Sequence, residues 1–163
     1  MCLLVMAYRV HPIYELIVAA NRDEFHARPT APLAQWDNGI LAGRDLEAGG
    51  TWLGLGPGSR LAALTNYRLP AVDPRPKPSR GALTTGFLQG DMDARSYLSA
   101  LATQADQYNP FNLLVAEANG SATLLGNWPE VQRTPLPAGV HGLSNGALAP
   151  AWPKTRRLCE RLG

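Results

Sequence analysis

The sequence predicts an α+β domain built mainly from antiparallel strands. Three observations indicate this: two apolar runs near the start of the chain, helical patterns in its middle, and further strand patterns after them. Strands followed by helices and then by strands again are typical of a layered α+β fold. At 163 residues the chain is most simply one domain, residues 1–163.

Composition and charge exclude several classes of protein. The hydrophobic fraction is 45%, and a net charge of +2 is too small to indicate binding to nucleic acid or an anionic membrane. No apolar run is long enough to span a bilayer, and the N-terminus lacks the basic region of a signal peptide. The two cysteines, Cys2 and Cys159, form neither a disulfide framework nor a metal-ligand spacing. We therefore expect a cytoplasmic protein without a metal or membrane insertion.

The first two strands organise the rest of the chain. Two apolar runs, at residues 1–7 and 15–20, flank a turn that contains Pro12, and this pattern predicts a buried antiparallel hairpin. The second run ends in the polar quartet Asn21-Arg22-Asp23-Glu24. Because a hairpin brings the start of its first strand close to the end of its second, Cys2 and the quartet are expected to be neighbours.

Cys2 is the candidate nucleophile of this cluster. A small residue in second position generally permits removal of Met1, which would leave a free α-amine on the cysteine. When neutral, that amine can accept the thiol proton, so base and nucleophile would belong to one residue. Arg22 would favour the thiolate, and Asp23 could orient the amine. The alternative is that Cys2 is a small buried hydrophobe and the quartet is a solvated strand end.

Three further strand patterns precede the helices, at residues 40–45, 49–55 and 60–67. The connector before them, residues 25–32, has two prolines, which exclude a continuing central strand. His26 in this connector either faces the cluster or is a surface loop residue. Asn66, at the end of the third strand pattern, either donates to an oxyanion or caps the following turn.

The second half of the chain contains the helices. Residues 69–79 carry four prolines and are expected to form a surface loop that borders any cleft. Helices are predicted from Arg80 to Gln89 with Ser79 as N-cap, from Ala94 to about Gln107 with Asp93 as N-cap, and from near Pro153 onward. Two strand patterns, at 111–118 and 121–126, flank Asn119-Gly120, a signal for a two-residue hairpin turn.

The segment between this hairpin and the last helix is expected to be irregular, through residues 131–135 and 139–146. Asn145 within it either faces a site or adopts a left-handed turn conformation. Other site chemistries lack support, because the sequence has no phosphate loop, no nucleophile elbow and no histidine pair with helical ligand spacing.

Five motifs in order resemble the NRDE-motif family, which is the family of the transport and Golgi organisation protein 2. They are Met-Cys at 1–2, Ala-Asn-Arg-Asp-Glu-Phe at 20–25, Gly-Gly-Thr-Trp-Leu-Gly at 49–54, Thr-Asn-Tyr-Arg at 65–68 and Gly-Leu-Ser-Asn at 142–145. The matches span nearly the whole chain. Since members of the family usually continue further, the resemblance implies that a C-terminal part is missing here, which would leave an open sheet edge or apolar face and favour homo-oligomers.

The resemblance implies the α-β-β-α sandwich of the N-terminal nucleophile hydrolases, and it is strongest to their cysteine branch. In that branch an N-terminal cysteine attacks an amide or acyl ester. Carried over, Cys2 is the nucleophile with Arg22 and Asp23 as its supports, Asn66 is the oxyanion donor and Asn145 is a second polar partner. Asn21 is an alternative site residue if the two motifs are aligned in a different register, because the local order of Arg and Asp differs from the choloylglycine hydrolase pattern.

Three functions follow from this reading. The first is a hydrolase or acyltransferase, without a cofactor, that acts on a small amide or acyl substrate through a Cys2 thioester. Substrate contacts are then expected from Asn21, Glu24, His26, Trp52 and Tyr67. The second is a binding or trafficking protein for haem or for an acyl or lipid metabolite, and the third is a structural role in which Cys2 is merely packed.

Overall fold

A computed structural model describes residues 2–69, 76–118, 120–148 and 153–162. Within these ranges the fold is α+β, with ten strands and three α-helices. The strands are β1 Leu3–Tyr8, β2 Leu16–Asn21, β3 Thr30–Gln35, β4 Leu41–Asp45, β5 Leu53–Gly56, β6 Arg60–Asn66, β7 Phe111–Ala116, β8 Ala122–Gly126, β9 Gln132–Pro135 and β10 Gly139–Leu143. The helices are α1 Gly81–Gln89, α2 Ala94–Ala102 and α3 Pro153–Leu162.

The strands form two antiparallel sheets. The larger has seven strands in sequence order from β3 to β9, and the smaller has three strands in the order β10-β1-β2. The predicted first hairpin is confirmed, because β1 pairs with β2 in a register that sets Leu3 opposite Asn21 and Tyr8 opposite Leu16. This register places Cys2 and Arg22 just beyond the same end of the hairpin.

The elements pack as helix, sheet, sheet and helix. Helices α1 and α2 cover one face of the larger sheet with a core that includes Phe87, Leu98 and Leu113. The smaller sheet covers the other face, where Leu4 and Met6 contact the core of the larger sheet. Helix α3 packs on β1 and β10 from the far side. Because both faces of β1 are covered, every residue of this strand is buried, which explains its uninterrupted apolar sequence.

Glycines allow α1 to lie directly against the larger sheet. A Cβ added to Gly50 would lie 2.8 Å from the carbonyl carbon of Gly81, at the start of α1. A Cβ on Gly56 would overlap the carbonyl of Leu88, near the end of the same helix. The helix is therefore held against the sheet at both ends, and its first turn is fixed beside the connection between β4 and β5.

Strands β3, β9 and β10 form in segments without a strand pattern in the sequence. The prediction of a connector over residues 25–32 is wrong from Thr30 onward, because β3 begins there and pairs with β4. Pro32 is compatible with a strand at this place since β3 is at the edge of the larger sheet. The expected irregular segment is also wrong, because β9 pairs with β8 and β10 pairs with β1. Pairing with distant strands, rather than local pattern, creates these elements.

The helices largely agree with the prediction, and Asp93 is the N-cap of α2, but α1 begins at Gly81 with Arg80 as its N-cap rather than the predicted Ser79. The Asp93 side chain accepts a hydrogen bond from the Ser96 N–H at 2.8 Å, and the Ser79 hydroxyl accepts one from the Gly81 N–H at 3.3 Å. Helix α2 ends at Ala102, earlier than predicted, and a separate 3₁₀ turn follows at Ala105–Gln107. No helix in the described part of the chain is long and apolar enough to cross a membrane.

Two predictions fall partly outside the described residues. One is the predicted hairpin turn, whose Asn119 lies outside the described residues, although the strands that flank it pair as expected. The Glu117 N–H donates to the Ser121 carbonyl at 3.1 Å. Residues 70–75 of the proline-rich segment are the other.

Candidate active site

A cavity of about 670 Å³ opens at the end of the hairpin formed by β1 and β2. Its lining comes from the residue before β1, the segment after β2, strands β3 and β4, the connection between β4 and β5, the end of β6, the start of α1 with the residues before it, and Asn109 before β7. Six residues singled out from the sequence line it, namely Cys2, Arg22, Asp23, Glu24, Trp52 and Asn66. The fold therefore brings the candidate nucleophile and most of the polar quartet to one cavity, as the hairpin argument predicts.

Cys2 lies half-buried immediately before β1. Burial raises the pKa of its thiol, while the positive charge of Arg22 acts in the opposite direction with a smaller effect. Arg22 therefore lowers the pKa of the Cys2 thiol, as predicted, but burial raises this pKa by more. A thiol with a raised pKa carries little thiolate at neutral pH, so it would need a nearby base in order to act as a nucleophile.

A buried polar network holds the backbone at Cys2. The Ser144 hydroxyl donates to the Cys2 carbonyl at 2.7 Å, and the Thr65 hydroxyl donates to the Ser144 carbonyl at 2.9 Å. The Asn112 amide donates to the Gly146 carbonyl at 2.8 Å and to the Thr65 hydroxyl at 3.4 Å. The network links β6 and β7 to the segment after β10, and through Ser144 to the cysteine.

Sequence reasoning missed this network, although two of its residues are recognisable in the sequence. Thr65 and Asn112 are polar residues inside apolar strands, and they lie opposite each other in the register of β6 and β7. Both are buried. Paired buried polar groups of this kind require hydrogen-bond partners, so they point to a segment that must reach them.

One side of the cavity, which we call the paired wall, consists of Arg22, Glu24, Arg28, Asp45 and Glu47. The Arg22 Nη2 donates to Glu24 Oε2 at 2.7 Å. The Arg28 Nε and Nη2 both donate to Asp45 Oδ2, at 2.9 and 2.8 Å, and Arg28 Nη1 lies 3.2 Å from Glu47 Oε2. Each arginine of this wall is therefore paired with carboxylates.

Asp45 is the centre of the paired wall. Burial acts to raise the pKa of its carboxyl, but hydrogen bonds from Arg28 and from the N–H groups of Glu47 and Ala48 together outweigh burial and hold the pKa below its usual range. The carboxylate is consequently charged at all ordinary pH values. The contacts around it fix the turn that leads from β4 towards Gly50.

The opposite side, which we call the Arg80 wall, consists of Ser79, Arg80 and Gly81. The Arg80 Nη1 donates to the Pro110 carbonyl at 2.9 Å. Among the described residues no carboxylate lies within ion-pair distance of this guanidinium, and burial lowers the pKa of Arg80. The negative charge of Glu24 acts on it from further away, as that of Cys2 would in its thiolate form. Sequence reasoning treated Arg80 only as the start of a helix.

Four predicted site residues do not line this cavity. His26 is exposed in a turn, and Tyr67 is half-buried with its N–H donating to the Pro110 carbonyl at 2.9 Å. Asn145 donates through Nδ2 to the Asn66 carbonyl at 2.7 Å, and so positions the backbone of Asn66. Asn21 donates to Asp23 Oδ1 at 3.3 Å. Asn145 and Asn21 thus contact residues of the cavity rather than the cavity itself.

A second cavity of about 240 Å³ lies between the outer face of the first hairpin and α3. Its lining is mainly apolar: Leu3, Val5, Ala19, Ala20, Leu158 and Leu162, with Asn21 and Arg161 at its polar parts. The described part of the chain contains no cluster of three or more His, Cys, Asp or Glu side chains arranged to hold a metal ion.

The family model and the relatives that match this chain agree on one family. A family model described as Transport and Golgi organisation 2 matches residues 1–163. The human protein named "Transport and Golgi organization protein 2 homolog" is 41% identical over 98% of this chain and 61% of its own length. The mouse homologue is 40% identical over 94% of this chain and 60% of its length. The Drosophila melanogaster protein is 36% identical over 71% of this chain and 46% of its length. This chain therefore spans less than two thirds of these relatives.

Proposed function

This chain belongs to the Transport and Golgi organisation 2 family, and we propose that it is a cysteine hydrolase or acyltransferase that acts on a small amide or acyl substrate. The observation that carries this proposal is the lining of the larger cavity, which includes Cys2, Arg22, Asp23 and Asn66. A thiol, a cation, a carboxylate and an amide at one cavity are the groups that acyl transfer through a thioester requires.

The reaction begins with attack of the Cys2 sulfur on the acyl carbonyl carbon. The bond to the leaving amine or alcohol breaks, and the thiol proton passes through the Cys2 α-amine to the leaving group once Met1 has been removed. Water then attacks the thioester, releasing a carboxylic acid and restoring the thiol. An amine or alcohol in place of water would give acyl transfer instead. The raised pKa of the Cys2 thiol is the reason that an adjacent base is needed.

The supporting roles follow from position. Asp23 would orient the α-amine, and the Asn66 amide at the end of β6 would donate to the developing oxyanion. Asn145 would act through its hydrogen bond to the Asn66 carbonyl. The layer order of helix, sheet, sheet and helix supports a likeness to the N-terminal nucleophile hydrolases. Two free thiols support a reducing compartment such as the cytoplasm.

The proposal is tested with p-nitrophenyl acetate as the acyl donor. We expect a burst of p-nitrophenolate equal to the protein concentration, an acetyl group on the peptide that contains Cys2, and slow turnover afterwards. Cys2→Ala should abolish the burst, whereas Cys159→Ser should leave it intact. Alanine is also small, so Cys2→Ala keeps the same processing of Met1. A burst that survives in Cys2→Ala, or no acetylation of Cys2 in the unmodified chain, would refute the proposal.

A second candidate function is the binding of an apolar metabolite without turnover. The mainly apolar lining of the second cavity favours it, since a hydrocarbon chain there would lie against Leu3 and Val5 and would remove the exposed Leu158 from water. Haem and long-chain fatty acids are the ligands to titrate. Haem binding would give a Soret band that Cys2→Ala or His26→Ala shifts. Fatty-acid binding would be lost in Ala19→Trp, which fills the cavity, and no band or heat in either titration would exclude this function.

A further inference from the structure

We propose that Arg80 binds a carboxylate group of the substrate, so that the Cys2 site acts on acyl compounds that also carry a free carboxylate. This inference rests on the proposed function, because it concerns the same cavity. It adds a substrate class and a binding residue to it.

The state of the other arginines in the cavity lining distinguishes Arg80. Arg22 and Arg28 have carboxylate partners at 2.7 and 2.8 Å. Arg44 lies with its guanidinium carbon 4.7 Å from the ring centre of Trp36 and donates to the Gly49 carbonyl at 3.2 Å. Arg80, by contrast, is half-buried on the lining and bonds to one backbone carbonyl.

The single bond to Pro110 orients the guanidinium and leaves most of its donors available. A guanidinium has five N–H groups in a planar fork, which matches the two oxygens of a carboxylate. The bond at Nη1 fixes the plane of the fork against the loop before β7. The donors on Nε and Nη2 have no acceptor among the described residues. A substrate carboxylate would therefore meet an arginine that is already held in place.

Position strengthens the inference. Arg80 stands immediately before α1, and the close approach of Gly50 to Gly81 fixes that end of the helix at the cavity. Cys2 lines the same cavity as Arg80. Because no described residue gives Arg80 an acidic partner, its partly buried cation is unfavourable, and an anionic ligand would offset this. The expected substrate thus carries its carboxylate on the α1 side of the bond that Cys2 attacks.

Two alkylating reagents that differ in charge measure this effect at Cys2. Iodoacetate carries a carboxylate and iodoacetamide is its neutral counterpart, so the ratio of their rates cancels any change in the fraction of thiolate. The rates are followed by mass spectrometry of the Cys2 peptide. We expect Arg80→Gln to lower the iodoacetate/iodoacetamide ratio by about tenfold, since a charge-assisted contact is lost.

Arg44→Gln is the matched control, because it removes the same charge from the same cavity lining. We expect it to change the ratio by less than about twofold, because its guanidinium is already stacked on Trp36. A ratio unaffected by Arg80→Gln overturns the inference. An equal fall in both variants also overturns it, because the effect would then be the general field of the cavity.

A binding measurement keeps the inference testable if Arg80→Gln does not fold or if Cys2 does not react. The Nε–Hε signal of Arg80 is followed by NMR in the unmodified chain and in Cys2→Ala, during titration with N-acetylglycine or its neutral amide, N-acetylglycinamide. We expect the acid to shift this signal in both proteins and the amide to leave it unchanged. A shift together with an unreactive Cys2 would refute the proposed function alone. No shift with the acid would refute carboxylate binding.

Discussion

On one side of the larger cavity Asp45 accepts hydrogen bonds from two nitrogens of Arg28, whereas on the other side Arg80 bonds to a backbone carbonyl. The paired wall satisfies its own charges, so its role is to fix the segment after β2 against β4. The Arg80 wall contains a cation that has no carboxylate partner among the described residues. Similar arginines in one cavity can therefore serve structure or ligand binding, according to what pairs with them.

The largest effect is expected from Gly50→Ala, which acts on the placement of the Arg80 wall. The new Cβ would lie 2.8 Å from the Gly81 carbonyl carbon, so the start of α1 must move. We expect the free energy of unfolding to fall by about 2–3 kcal/mol, measured by urea denaturation. The iodoacetate/iodoacetamide ratio at Cys2 should fall as well, because Arg80 moves with the helix.

Gly81→Ala is the control for this change, since its Cβ would meet the Thr51 backbone at 3.4 Å, an ordinary contact. Its effect on the free energy of unfolding should stay within about 0.5 kcal/mol. If Gly50→Ala were as mild as Gly81→Ala, the close approach would not be what positions Arg80.

Asp45→Asn removes the carboxylate that pairs with Arg28 in the paired wall. We expect a loss of about 1–3 kcal/mol in the free energy of unfolding, because Arg28 loses its charged partner in a partly buried place. The alkylation ratio should rise rather than fall, since Arg28 becomes available to an anion. The exposed partner Glu47 gives the control, and Glu47→Gln should change stability by less than about 0.5 kcal/mol. A fall of the ratio in Asp45→Asn would contradict the distinction between the walls.

The pH dependence of stability in acid tests the role of Asp45 in the paired wall. The pKa of Asp45 is held below its usual range, so the unfolded chain takes up a proton at a higher pH than the folded chain does. Its contribution is fully present above the ordinary aspartate pKa of about 3.9 and is lost as pH falls through the lower folded pKa. In Asp45→Asn the free energy of unfolding should depend less steeply on pH in that range. Equal slopes in both proteins would refute this role.

The smallest effect is expected at high pH, from the support beneath the Arg80 wall. The Tyr97 hydroxyl donates to the Leu83 carbonyl of α1 at 2.7 Å, and burial raises the pKa of Tyr97 to about 12. Its contribution is present below the ordinary tyrosine pKa of about 10 and is lost as pH rises towards the folded value. Unfolding measurements in urea should show that Tyr97→Phe reduces this alkaline loss. An unchanged alkaline profile would show that Tyr97 does not couple α2 to α1 in this way.

The site was predictable where it depends on local pairing. The hairpin of β1 and β2 could be inferred from two apolar runs and a turn, and its register alone brings Cys2 to Arg22. The helix cap at Asp93 could be inferred because capping is a local interaction.

What depends on distant partners was missed. Strands β9 and β10 have weak patterns of their own and form because β8 and β1 offer edges to them. The glycines at 50 and 56 make room for α1, which only the packing of the distant helix reveals. Arg80 carries no motif, and its importance follows from the absence of a carboxylate partner among the described residues, which a sequence does not reveal.

If Cys2 is an N-terminal nucleophile, the mass of the peptide that contains it should show this. The protein is expressed without an N-terminal tag, and this peptide is weighed before and after brief exposure to p-nitrophenyl acetate. Our account predicts a peptide that begins at Cys2, gains one acetyl group and loses it again in water. A peptide that keeps Met1, or one that never gains an acetyl group while the protein remains folded, would contradict it.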